Sequence, residues 1–214
     1  MPIPKPAIWA AAAMVFLASC GGASTTGRAD QTVPASVAEE GSDSTIGVGS
    51  AAMSFSERIG VIDEAVAVWR GSISVEEAHM AAETAANLVV GPNGPGYGDR
   101  NGDGVISGES TVGVLPGLDG TPAGLATPLA ANECVARDVL GGTWTDPGAE
   151  WEAMLTAIDE WLPNNNTMPT LPSHPMRIVG WATFTLGSDS LDEAHEYAGH
   201  AKLHVDIALR ALDC

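Results

Sequence analysis

From residue 54 onward, apolar residues recur at intervals of three and four in separated runs, most opened by a residue that can cap a helix. Ser54 and Glu57 have capping-box spacing, and Phe55, Ile59, Ile62, Val66 and Trp69 form one stripe that Gly71 closes. Ser74 and Glu77 open a second run, which reaches Val90 ahead of Gly91-Pro92. Thr127-Pro128 and Asp146-Pro147 each set a capping residue before proline at a first helical position. The first predicts a helix ending at Gly141-Gly142. The second predicts one whose buried face is Trp151, Leu155, Ile158 and Leu162. After a loop from Pro163 to Pro175, residues 177–187 fit helix or strand by composition, and the lack of a partner strand elsewhere favours helix. A third capping box, Ser190 to Glu193, starts the longest stripe: Leu191, Ala194, Ala198, Ala201, Val205, Ala208 and Leu212. Residues 54–214 therefore read as an all-α bundle of five to six helices, long enough for one domain with its own core.

Two of these helices look like copies. Ser72, Ser74, Glu76, Glu77, Ala78 and His79 match Ser188, Ser190, Asp192, Glu193, Ala194 and His195 at an offset of 116, and Ala82 and Ala85 match Ala198 and Ala201. Capping rules explain the Ser and Glu positions but not the shared Ala-His pair. Each copy follows a helix carrying Ile-Asp-Glu, at residues 62–64 and 158–160, so the pattern predicts a duplicated helical hairpin.

Between the copies lies Tyr97 to Glu109, whose composition packing does not explain. Asp99, Asn101 and Asp103 alternate, and Gly104 follows. Hard oxygens at positions 1, 3 and 5 and a turn glycine at 6 are what calcium requires of a short loop; Val105 supplies a carbonyl at 7 and Ser107 a site at 9. Ile106 is the residue expected to tether the loop to the core. The opening resembles the loops of EF-hand and dockerin domains over about a dozen residues. It departs from them at the end, since position 12 is Ser110 while Glu109 stands at 11. Gly and Pro in residues 111–117 exclude an exiting helix, so the expectation is a calcium loop, 99–110, with an entering helix alone. The other reading is an acidic turn that binds nothing.

The start of the chain adds location. Lys5 and the apolar stretch Ala7 to Ala18 form a targeting segment too short to span a bilayer. Leu17-Ala18-Ser19-Cys20 resembles the bacterial lipoprotein signal, which implies removal of residues 1–19, lipid on Cys20 and attachment to a membrane. Gly21 is not the Asp that would resemble an inner-membrane retention signal, which favours the outer membrane or cell surface of the envelope. Residues 20–53, rich in Ser, Thr, Gly and Ala, predict a disordered tether with a reach of roughly 30 Å. The layout of helical pair and Gly-Asp loop is similar to that of exported bacterial proteins of uncharacterised activity.

With Cys20 assigned to lipid, Cys134 and Cys214 remain, either as a disulfide or as two buried thiols. Glu196, His200 and His204 share an arc of the last helix away from its apolar stripe. They form either a transition-metal face, completed by Glu76, His79 and Glu83 of the other copy, or a solvated polar face. His79 and His195 read as histidines satisfied within their helices, and His174 carries no signal. A net charge of −18 argues against nucleic acid, and no G-x-S-x-G, H-E-x-x-H or phosphate-binding glycine motif is present. The resulting expectation is a calcium-stabilised helical domain, lipid-anchored, with a binding or structural role. A transition-metal-binding or sensing lipoprotein is the alternative, and an enzyme of unrecognised type the third.

Overall fold

A computed structural model of the chain describes residues 54–125, 127–161 and 171–214; the predicted signal segment, Cys20, the tether and Leu162 lie outside the described residues. Six α-helices are present, with no strand among the described residues: α1 Phe55–Gly71, α2 Val75–Val90, α3 Thr127–Ala130, α4 Pro147–Asp159, α5 His174–Leu186 and α6 Leu191–Arg210. A π-helical segment, Val135–Leu140, lies between α3 and α4.

The capping serines act as read, but only the first box is reciprocal: Glu77 Oε2 accepts from Ile73 N and Glu193 Oε2 from Ser188 Oγ, and Thr127 is the first residue of α3 and not its cap. Ser54 Oγ accepts from Glu57 N (3.2 Å) while Ser54 N donates to Glu57 Oε2 (2.6 Å), closing both halves of the box. Ser74 and Ser190 cap α2 and α6 by accepting from Glu77 N and Glu193 N. Phe55, Ile59, Ile62, Val66 and Trp69 are all buried, as are Ala194, Ala198, Ala201, Val205 and Ala208. The ambiguous 177–187 stretch is helical to Leu186 within α5, with Gly187 as its C-cap and Ser173 Oγ capping its start on Met176 N (3.3 Å).

Two expectations are corrected. The helix read from 127 to 141 is broken at Ala131-Asn132, because Asn132 Oδ1 accepts from Cys134 N (2.8 Å) and Val135 N (3.1 Å). A side-chain amide that satisfies backbone donors in this way starts a new helical segment instead of continuing the old one. On α4 the buried face is Trp151, Met154 and Ile158, and Leu155 is 40% exposed.

The core is a ring of four helices. α1 packs on α2 and α6, and α5 packs on α6 and α2; connections of residues 72–74 and 187–190 make each hairpin antiparallel. Exchanging α1 with α5 and α2 with α6 leaves this set of contacts unchanged, so the duplicated hairpin is a structural pattern. Its partner assignment, however, differs from the expectation. The counterpart of α1 is α5, not the helix carrying Ile158-Asp159-Glu160. At the offset of 116, the buried α1 residues Phe55, Ile59, Ile62, Ala65, Val66 and Trp69 fall on Leu171, Pro175, Ile178, Trp181, Ala182 and Thr185, all buried. His79 Nε2 lies 3.0 Å from Ser188 O, and His195 Nε2 lies 2.9 Å from Ser72 O. A carbonyl only accepts, so each Nε2 carries the proton and donates to the other hairpin's turn. Equivalent histidines thus clamp equivalent serines across the pseudo-twofold.

Candidate calcium loop and its surroundings

The two copies differ at Glu83 and Asn87, whose places in α6 are taken by Gly199 and Leu203. Both side chains on α2 are fully buried although polar, a cost that requires hydrogen-bond partners. The loop supplies them. Glu83 Oε2 accepts from Arg100 N (2.7 Å) and Asn101 N (2.9 Å), and Glu83 Oε1 accepts from Ser107 N (2.8 Å). Asn87 Nδ2 donates to Gly98 O (2.9 Å) and Ser107 O (2.7 Å), while its Oδ1 accepts from Gly98 N (3.2 Å) and Arg100 Nε (3.2 Å). One carboxylate and one amide, a helical turn apart, thereby hold both ends of the loop.

Within it, the backbone curls around Asp99. Its Oδ1 accepts from Gly102 N (2.7 Å) and Asp103 N (3.1 Å), and its Oδ2 from Gly104 N (2.8 Å). Asn101 Oδ1 accepts from Asp103 N (2.9 Å), and Asp103 Oδ1 from Val105 N (2.8 Å). The turn needs positive φ at Gly102 (79°) and Gly104 (87°), a conformation glycine adopts without a steric penalty. The side chains that carry oxygen at positions 1, 3 and 5 are thus held by the loop's own amides. Among the described residues there is no cluster of three or more His, Cys, Asp and Glu side chains able to hold a metal. The loop's own donors are two carboxylates and an amide, a set of hard oxygens that fits a weakly held calcium supplemented by carbonyl and water oxygens.

The periphery departs from expectation. Ile106 does not reach the core but is 42% exposed, and Val105 is 61% exposed. Anchoring is polar, through Glu83 and Asn87, so an apolar tether has nothing left to do. Glu109 is exposed, and Ser110 at position 12 donates through Oγ to Val112 O (3.1 Å). The chain then runs back along the end of α2: Val114 N and Leu115 N donate to Val89 O (2.9 and 3.2 Å).

Glu196 is exposed, but His200 and His204 are partly covered by Trp181 and His174 of α5. His200 stacks on Trp181, with ring centroids 4.4 Å apart, and its Nε2 is 3.9 Å from Glu196 Oε1. His204 Nδ1 lies 2.9 Å from Nδ1 of His174 on α5. His174 was invisible in the sequence, since its partner lies on another helix. The opposed face imagined for Glu76, His79 and Glu83 does not form either, as His79 binds Ser188 O and Glu83 binds the loop.

Burial, reinforced by His174, Arg177 and His200, pushes the His204 imidazole from its usual value down to about 3. Burial also lowers His174, with Arg177 adding to the effect and Asp138 opposing it. An unfolded histidine titrates at about 6.5, so below that pH the unfolded chain binds more protons than the native one. The stability carried by this pair is complete above about pH 6.5 and is lost as pH falls toward about 3. Urea midpoints should therefore decline between about pH 6.5 and 4, and His204→Leu should flatten that decline. An unchanged profile in the variant would mean that the pair is not held neutral.

Comparison of the chain with protein-family models, curated proteins and solved structures gave no match in any of the three.

Proposed function

We propose that the chain is a lipid-anchored envelope protein whose helical domain is stabilised by calcium in the 99–110 loop and serves a binding or structural role. The observation that carries the reading is the Asp99 carboxylate, which accepts from Gly102, Asp103 and Gly104 N–H groups inside a D-x-N-x-D-G sequence. With Glu83 and Asn87 fastening the loop to α2 and no exiting helix behind it, calcium would stabilise a docked loop and not swing a helix. Calcium at 100 times its dissociation constant should add about 2.7 kcal/mol. The melting temperature should rise with calcium in the wild-type chain and not in Asp99→Ala. Identical melting with chelator and with several millimolar calcium would remove the calcium reading.

The anchor rests on Leu17-Ala18-Ser19-Cys20. Among the described residues no helix is long and apolar enough to cross a membrane. Cys20→Ser should move the protein to the soluble fraction with its helical content unchanged. Persistent membrane association of the unlipidated variant in high salt would refute attachment through Cys20.

A further inference from the structure

Two cavities meet at Arg100. One, of about 590 Å³, lies between the 95–100 segment, α4 and α5; the other, of about 530 Å³, continues toward Gly187. Gly96, Arg100 and Thr183 line both. Arg100 reaches this junction because its backbone N is held by Glu83 and its Nε by Asn87. Its Nη2 is buried and has no hydrogen-bond partner. A guanidinium nitrogen without an acceptor costs free energy, and a rotation of the side chain toward the groove that Arg100 lines would expose it to one.

The rest of the lining narrows the partner. A guanidinium favours planar oxyanions, carboxylate above all, through paired N–H donors. Leu155, Val179 and Phe184 provide an apolar wall in the larger cavity, which a purely ionic ligand would not use. Asp159 lines the same cavity, so a second anionic group is disfavoured while an amino group finds a partner. The volume lies within the range of pockets for small molecules. We propose that this groove binds a small monocarboxylate with an apolar substituent, of the size and charge of an apolar amino acid, with its carboxylate on Arg100. The site does not depend on calcium, since Glu83 and Asn87 hold Arg100 from α2.

The test is calorimetric titration of the full Cys20→Ser chain with L-phenylalanine, 3-phenylpropanoate and 2-phenylethylamine, with and without calcium. Both carboxylates should bind, and the amine, which lacks the carboxylate, should not. Arg100→Met should weaken carboxylate binding at least about tenfold. Thr183→Trp should do the same by filling both cavities from an exposed position on α5, outside the loop, so the test survives if Arg100→Met disturbs the loop. The proposal is overturned if neither carboxylate binds at about 10 mM, if the amine binds equally well, or if Thr183→Trp leaves the affinity unchanged. Because the no-calcium arm is read separately, failure of the groove and failure of the calcium loop give different results.

Discussion

Glu83→Ala is expected to destabilise the domain by about 3–5 kcal/mol and to release the 97–108 loop from α2. Glu83 is fully buried and accepts from the backbone N–H groups of Arg100, Asn101 and Ser107. A hydrogen bond to a charged group contributes roughly 1.5–3 kcal/mol, and a buried donor left without a partner costs about 1–3 kcal/mol. Alanine cannot replace any of the three acceptors. Glu83→Gln should not restore the loop either. Whichever way the amide turns, its NH2 replaces an oxygen that now faces either the Arg100 and Asn101 donors or the Ser107 donor. Arg100 would also lose the carboxylate that offsets its buried charge. Urea denaturation of the Cys20→Ser chain measures the loss, and hydrogen exchange at residues 100, 101 and 107 locates it. A change within about 0.5 kcal/mol, with protection at those amides intact, would show that the loop is not held by this carboxylate.

The same residue shows where sequence reading succeeds and where it stops. Helix starts were legible because capping is local: Ser54 and Glu57, or Ser190 and Glu193, stand three residues apart and act within a single turn. The apolar stripes were legible for the same reason. Glu83 and Asn87 were not, because a polar residue on a helix reads as solvated until its distant partners are known. A signal was there: two polar residues at i and i+4, set among Ala81, Ala82, Ala85, Ala86 and Val90 just ahead of an Asp-Gly loop. The equivalence of α1 and α5 was hidden differently. It lies in which positions are buried, not in residue types, and Trp69 and Thr185 are equivalent in burial with little chemistry in common. The Ile-Asp-Glu string of α4 was a coincidence of composition. His174 and His204 meet only because α5 and α6 are packed together.

Removing the disulfide should cost at least as much stability as removing Glu83, by a different route. Cys134 and Cys214 are joined across 80 residues of sequence, with Cα atoms 6.1 Å apart. The chain-entropy relation gives about 4–5 kcal/mol for a closed loop of this length, within a usual range of roughly 2–5 kcal/mol for native bridges. Most of that effect lies in the unfolded chain, which the bridge keeps from exploring extended states. The native contacts near it should survive: Asn132 still caps the π-helical segment, and that segment still packs on α5 and α6. Cys134→Ser/Cys214→Ser is therefore expected to lower the urea midpoint strongly while leaving amide protection at residues 100, 101 and 107 in place under native conditions. Glu83→Ala should show the opposite combination, with local protection lost even where the domain stays folded. A reductant should reproduce the effect in the wild-type chain and have none on the double variant. A difference below about 1 kcal/mol between oxidised and reduced protein would place the unfolded-state constraint outside the range expected for this closure.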